Sequence, residues 1–180
     1  FAGAIFRGDE LLITSELVYV YADPVAKKSQ PIPAPLRDML ESFERGEDMV
    51  QVHVGSWHDF QKLASPLRTE VFVHEQKVPP EMEWDHEDDT ALHAVALNRM
   101  GMPLATGRYL PYPAAGRAGV VKVGRMAVKR VMRGAGVGRE VLFALMDAAR
   151  KRGEHEVVLH AQRSAEGSVV RDADGSARES

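Results

Sequence analysis

Hydrophobic and polar positions change period several times along this chain, and each change marks an element. Val50, Val52 and Val54 alternate with polar neighbours, the period of a half-buried strand, and Gly55 breaks the run. Ser56 followed by Asp59 reads as a hydroxyl cap with an acid three residues on, so a helix starts there. Phe60, Leu63, Leu67, Val71 and Phe72 carry its stripe, with Pro66 and Pro79-Pro80 predicting an interruption or a following loop. Leu92–Leu97 and Leu104–Tyr109 are β-prone runs around a turn containing Gly101, a predicted hairpin. Val120–Val128 is the next strand. Gly136–Arg152 is the strongest helix, with Val137, Val141, Leu142, Leu145, Met146 and Ala149 on one face and Gly153 as its stop. Val157–Ala161 reads as a final buried strand.

Before this unit lie a β-prone stretch, Leu11–Tyr21, a proline-rich connection through Pro31, Pro33 and Pro35, and a short helix over Leu36–Arg45 with Leu36, Met39, Leu40 and Phe43 on one face. After it, Arg163–Ser180 is rich in small and charged residues, too poor in apolar side chains to bury much surface, and is expected to be disordered. The expected organisation is therefore residues 1–46 as a separate piece, 47–162 as one α/β (α+β) domain, and 163–180 as a polar tail. The start at Phe1 and the polar ending lead us to expect a fragment.

Composition narrows the chemistry. The hydrophobic fraction is 44% and the charged fraction 27%, as in soluble globular proteins. A formal net charge of −3 gives no reason to expect nucleic acid, which normally shows as a strongly basic patch. The chain has no cysteine, which removes disulfides, thiolate zinc sites and cysteine nucleophiles. No apolar run approaches the roughly 20 residues of a membrane span, and no signal peptide is visible, so a cytoplasmic location is expected. His74, Asp85, His86, Glu87, Asp88, Asp89 and His93 match no common zinc spacing, and Glu81–Thr90 is expected to be a solvated acidic loop, with no metal.

The functional argument rests on the segment from Val123 to Gly138. A strand leads through a basic linker into Arg133-Gly134-Ala135-Gly136-Val137-Gly138, which opens directly into the amphipathic helix. Glycines there remove Cβ atoms between a ligand and the backbone, and the first N–H groups of a helix, with its dipole, favour an anion such as a pyrophosphate. A Walker A loop would need Gly-Lys-Ser/Thr, where this chain has Gly138-Arg139-Glu140. A dinucleotide fingerprint would need G-x-G-x-x-G directly after the strand, and the spacing here is G-x-G-x-G.

Val128-x4-Arg133-x-x-Gly136-x-Gly138 resembles the acetyl-CoA signature of the GNAT superfamily of N-acetyltransferases. Arg68-Thr-Glu-Val-Phe-Val-His-Glu75-Gln76, Glu83-Trp-Asp85-x-x-Asp88, His93 and Ala105-Thr-Gly-Arg108 are similar to its ElaA-like branch. The resemblance implies a mixed, mostly antiparallel sheet with flanking helices, here C-terminally incomplete. It implies backbone contacts of Met126, Ala127 and Val128 with the pantetheine arm, and amides of Arg133, Gly134, Ala135, Gly136, Val137, Gly138 and Arg139 around the pyrophosphate. The implied reaction moves acetyl from acetyl-CoA, a cosubstrate, to a primary amine of a small molecule or protein. A base is needed for the amine. Many members of the family have a Glu near the start of the strand before the turn, and Val120–Val128 holds no acid. Glu75 is the candidate base, with a solvated loop carboxylate as the competing reading. The leaving-group acid is often a Tyr, and no Tyr follows Tyr112. A CoA-binding domain without turnover is the alternative, and a homodimer is compatible with the family.

Gly8–Ile13, Val18–Asp23 and Lys28–Arg37 resemble the C-terminal end of a hotdog-fold acyl-CoA thioesterase. This implies a parent protein that joins a thioesterase to an acetyltransferase. The competing reading is an N-terminal extension packed on the sheet.

Overall fold

A computed structural model describes residues 1–113, 116 and 118–159. The expected tail at 163–180, and the incompleteness inferred from it, lie outside the described residues. The chain divides into two compact units, one over Phe1–Arg45 and the other from Gly46 onward.

The first unit opens with an antiparallel hairpin of β1 (Ala2–Arg7) and β2 (Glu10–Glu16), joined through Gly8 at φ 62°. The sequence reading missed β1 and carried its single strand on to Tyr21, whereas β2 ends at Glu16. The hairpin is solvated on both faces, so neither strand shows the alternation that marks a half-buried strand. Two short paired segments follow, β3 (Ala22–Asp23) and β4 (Lys28–Ser29). Helix α1 (Ala34–Glu44) starts one residue after Pro33, with Pro35 in its first turn where a missing N–H costs nothing. Of its expected apolar face, Phe43 is exposed.

The second unit is a five-stranded sheet in the order β5 (Val50–Gly55), β6 (Leu92–Asn98), β7 (Pro103–Pro111), β8 (Val120–Val128) and β9 (Glu156–Leu159). The first three pairings are antiparallel and β8–β9 is parallel. This is the mixed, mostly antiparallel α/β architecture expected from the sequence. For the last strand, Val157–Ala161 was expected; β9 runs Glu156–Leu159, and residues 160 and 161 lie outside the described residues.

Helix α2 (Trp57–Arg68) begins at Ser56 in a full capping box: Ser56 Oγ accepts from the Asp59 amide, and the Asp59 carboxylate accepts from the Ser56 amide. Pro66 does not interrupt it. The proline sits in the last turn, where one lost N–H bond is the main penalty, and the chain continues as a π-helical turn, Thr69–Glu75. Helix α4 (Val137–Lys151) covers one face of the sheet, packing Val137, Val141, Leu142, Leu145 and Ala149 on Ala94, Ala96, Val121 and Val123. Helix α2 and the π-helical turn cover the other, with Trp57 and Ala64 of α2 on Val95, and Leu67 of α2 and Val71 of the turn on Ala127.

The acidic stretch departs from expectation. It forms a short helix, α3 (Pro80–Glu83), and a 3-10 turn, His86–Asp89, with Glu83 and Asp88 almost fully buried. Charges of this kind leave water only when paired, and their partners are two arginines that the sequence places inside apolar elements.

Candidate functional site

Strand β8 approaches the glycine turn with one residue more than β7 provides for. Thr106 faces Ala127 and Arg108 faces Gly124, so Gly107 stands opposite both Arg125 and Met126. This β-bulge re-phases the strand. Val121 and Val123 point to the α4 face before it, and Met126 and Val128 do so after it. Met126 packs its sulfur where a Cβ on Gly107 would stand, so a side chain at that position would displace Met126. Arg125 takes up the irregularity at φ 51°, a left-handed conformation that a residue with a Cβ avoids.

Beyond β8 the chain makes a 3-10 turn, Arg130–Met132, and then Gly134 and Gly136, both at φ 84°. Gly136 is the N-cap of α4. Open space surrounds the Cβ position of Gly134, and that of Gly136 meets only the Arg139 guanidinium at 3.6 Å. Gly138 differs: a Cβ there would lie 3.0 Å from Val128 Cγ2, so this glycine lets the helix seat against the strand. The amides of Arg133 and Ala135 are used inside the turn, on the carbonyls of Arg130 and Met132. Glu140 N–H reaches the Gly136 carbonyl, while Val137, Gly138 and Arg139 occupy the helix start, where N–H groups have no intrahelical acceptor. These helix-start donors and the positive dipole end, with the Arg139 guanidinium beside Gly136, suit a pyrophosphate. Val137 is buried and anchors the turn from below.

The Arg133 side chain turns away from this cradle. Its Nε donates to the Val128 carbonyl at 3.2 Å and its Nη2 to Glu75 Oε2 at 2.6 Å. Two positions singled out in the sequence, Glu75 and Arg133, thus meet across 58 residues of chain. The π-helical turn makes this reach possible by carrying Glu75 past the end of α2 to the glycine turn.

Beside the bulge lies a buried ionic network. Arg68 donates to Glu83 at 2.5 Å, to Asp88 at 2.8 Å and to the Glu83 carbonyl at 3.1 Å, and its guanidinium lies against the rings of both Trp57 and Trp84. Arg108, register partner of His93, grips Asp85 with two donors at 2.7 Å and Asp88 at 2.5 Å. Arg125 Nη2 donates to Asp85 at 3.1 Å and to the Met82 carbonyl at 3.0 Å, and its Nε stands 3.4 Å from Glu83 without hydrogen-bond alignment. The Arg108 hydrogen bonds, with the charges of Arg108, Arg125 and Arg68, hold the Asp85 carboxyl at about 2 against the opposing effect of burial. Burial pushes the His93 imidazole down, although its Nε2 lies 2.9 Å from the Asp88 carbonyl. Among the described residues no group of His, Asp and Glu is arranged to hold a metal ion.

Sequence reasoning missed this network as a unit and missed the bulge. The signals were present: Arg68 and Arg108 fall inside apolar elements, and the apolar phase slips between Val123 and Met126.

A bulged strand that leads into a glycine-lined helix start makes an anion-accepting site of backbone amides. The sequence model described as the acetyltransferase (GNAT) family matches residues 57–169. A Bacillus subtilis protein named uncharacterized N-acetyltransferase YjcF is 36% identical over 104 residues, covering 58% of this chain and 70% of that protein. An acyl-CoA N-acyltransferase structure from Pseudomonas aeruginosa matches with a TM-score of 0.55 and 29% identity, over 68% of this chain and 91% of that one. Escherichia coli ElaA matches with a TM-score of 0.57 over 69% of this chain and 90% of its own, and at 21% identity that likeness speaks to the fold. The chain belongs to the acetyltransferase (GNAT) family, and the enzyme class it represents is that of acetyltransferases.

Proposed function

We propose that this protein transfers acetyl from acetyl-CoA to a primary amine of a small molecule or protein. The observation that carries the reading is the glycine turn. Gly134 and Gly136 adopt φ values suited to glycine, leave their Cβ positions open, and deliver free helix-start amides to one place at the end of β8. Acetyl-CoA supplies an activated acyl group and a thiolate leaving group. The backbone from Met126 to Val128 runs alongside the pantetheine arm, and the amides of Gly134 and of Gly136 to Arg139, with the Arg139 head, hold the pyrophosphate. Arg133 and Ala135 shape the turn.

The chemistry asks little of the protein. A neutral amine attacks the thioester carbonyl carbon, the C–S bond breaks, and the amine proton leaves to a base or to water. Amides at the β8 bulge stabilise the oxyanion. Glu75 has two readings here. As a base it would have to leave Arg133. Its 2.6 Å bond to Arg133 favours a second role, that of a strut holding the glycine turn to the π-helical turn.

Acetyl transfer from labelled acetyl-CoA to spermidine and to a lysine-containing peptide tests the proposal. Acetylated product supports it. Tight CoA binding with no product on any amine favours a CoA-binding domain without turnover. The separateness of the unit over Phe1–Arg45, together with its likeness to a thioesterase end, supports a parent protein that joins a thioesterase to the acetyltransferase. Thiol release from acyl-CoA without an amine, measured on the parent protein, tests that reading.

A further inference from the structure

The bulge in β8 is strained, and the structure holds it from two sides. Below, Met126 drops onto Gly107, whose Cβ position is also lined by Val141 and Leu145 of α4. Above, Arg125 sits at φ 51° with its side chain bound to the Met82 carbonyl and Asp85. A left-handed residue other than glycine persists only when its surroundings over-determine it. The surroundings here are the acidic segment Pro80–Asp89, itself fixed by Arg68 and Arg108, which are almost fully buried. Arg125 is therefore the link by which a rigid ionic cluster sets the backbone direction at the bulge.

Resting on the acetyltransferase reading above, we infer that Arg125 is a positioning residue: through Met82 and Asp85 it holds the β8 bulge so that its amides face the thioester carbonyl. Three observations converge on it. The register gives β8 its extra residue at this point. The strain falls on Arg125 rather than on the neighbouring Gly124, which would bear it at no cost. The Arg125 head is spent on a backbone carbonyl and a carboxylate of one segment, the arrangement of a tether and not of a solvated surface cation. The pyrophosphate cradle lies past Lys129, so loosening the bulge leaves it in place. The tether acts on recognition of the acyl carbonyl and not on recognition of CoA.

The test uses the full chain and its Arg125→Gly variant, which removes the tether while tolerating positive φ. Amide hydrogen exchange at residues 124–127, measured without ligand, is expected to rise at least about tenfold in the variant and to stay unchanged in β6. Wild type is expected to bind acetyl-CoA more tightly than CoA. Arg125→Gly is expected to bring the two affinities together, with CoA affinity held within about twofold and kcat lowered at least about tenfold. Unchanged exchange at the bulge, an unchanged affinity ratio, or equal wild-type affinities for the two ligands would overturn the inference. Should Arg125→Gly melt well below wild type, Arg125→Lys carries the same readouts, because it keeps the charge and loses the two-partner grip. A wild type that binds neither ligand refutes the acetyltransferase reading, while the exchange data still decide whether Arg125 holds the bulge.

Discussion

Replacing Arg68 by Met keeps most of the side-chain volume and deletes a buried charge. Arg68 is 1% exposed, bonds Glu83 and Asp88, and lies 5.3 Å from the Trp57 ring and 4.7 Å from the Trp84 ring. Asp88 retains Arg108 after the change, whereas Glu83 retains only Arg125 Nε at 3.4 Å and is itself 1% exposed. Removing one partner of a buried pair typically costs about 3–5 kcal/mol. The two ring contacts contribute to that loss, and the surviving Arg108 bond to Asp88 places the expectation near the lower end, about 3 kcal/mol. Against a typical total of about 5–15 kcal/mol, this leaves a folded but weakened domain. Urea unfolding followed by tryptophan fluorescence reads it directly, since both tryptophans flank the site. The midpoint should fall with the slope unchanged. Adding Glu83→Gln to Arg68→Met should recover part of the loss, because the stranded carboxylate is then neutral. A single-variant loss below about 1 kcal/mol, or no recovery in the pair, would refute the claim that this network is a buried ionic core.

Three further outcomes are expected. Gly136→Val should weaken CoA binding at least about tenfold in a titration while the fold persists; its Cβ has room, so the effect comes from the left-handed backbone, and full affinity would sink the assignment. Glu75→Gln separates strut from base: a strut predicts a raised KM for acetyl-CoA with kcat kept within about threefold, whereas a base predicts a large loss of kcat and a changed pH profile. Stability should fall with acid in two stages. His93 binds a proton less readily folded than unfolded, so stability declines as pH drops below about 6.5, and Asp85 adds a loss between its ordinary 3.8 and about 2. Urea midpoints at stepped pH check both, and a stability that rises on acidification contradicts them.

Much of the second unit was legible because most of its elements obey one period each, β8 with its bulge being the exception. The alternating valines of β5, the Ser56–Asp59 box and the apolar stripe of α4 are local signals, and the structure keeps them except at Val54, which is exposed. The glycine turn was legible as a turn, though not the division of labour within it: Gly134 and Gly136 serve conformation, while Gly138 serves helix–strand packing, which depends on Val128 across the turn. The acidic segment misled because carboxylates in a row look solvated until their partners are known. Those partners, Arg68 and Arg108, lie 15 and 20 residues or more away. The β1–β2 hairpin was hidden because both its faces meet water.

Calorimetric titration of the full chain with acetyl-CoA, beside CoA, NAD and ATP, tests the central claim most directly. The account predicts saturable binding of acetyl-CoA and CoA, loss of that binding in Gly136→Val, and no heat with NAD or ATP. A folded chain that ignores both CoA ligands, or that takes NAD or ATP equally well, would contradict it.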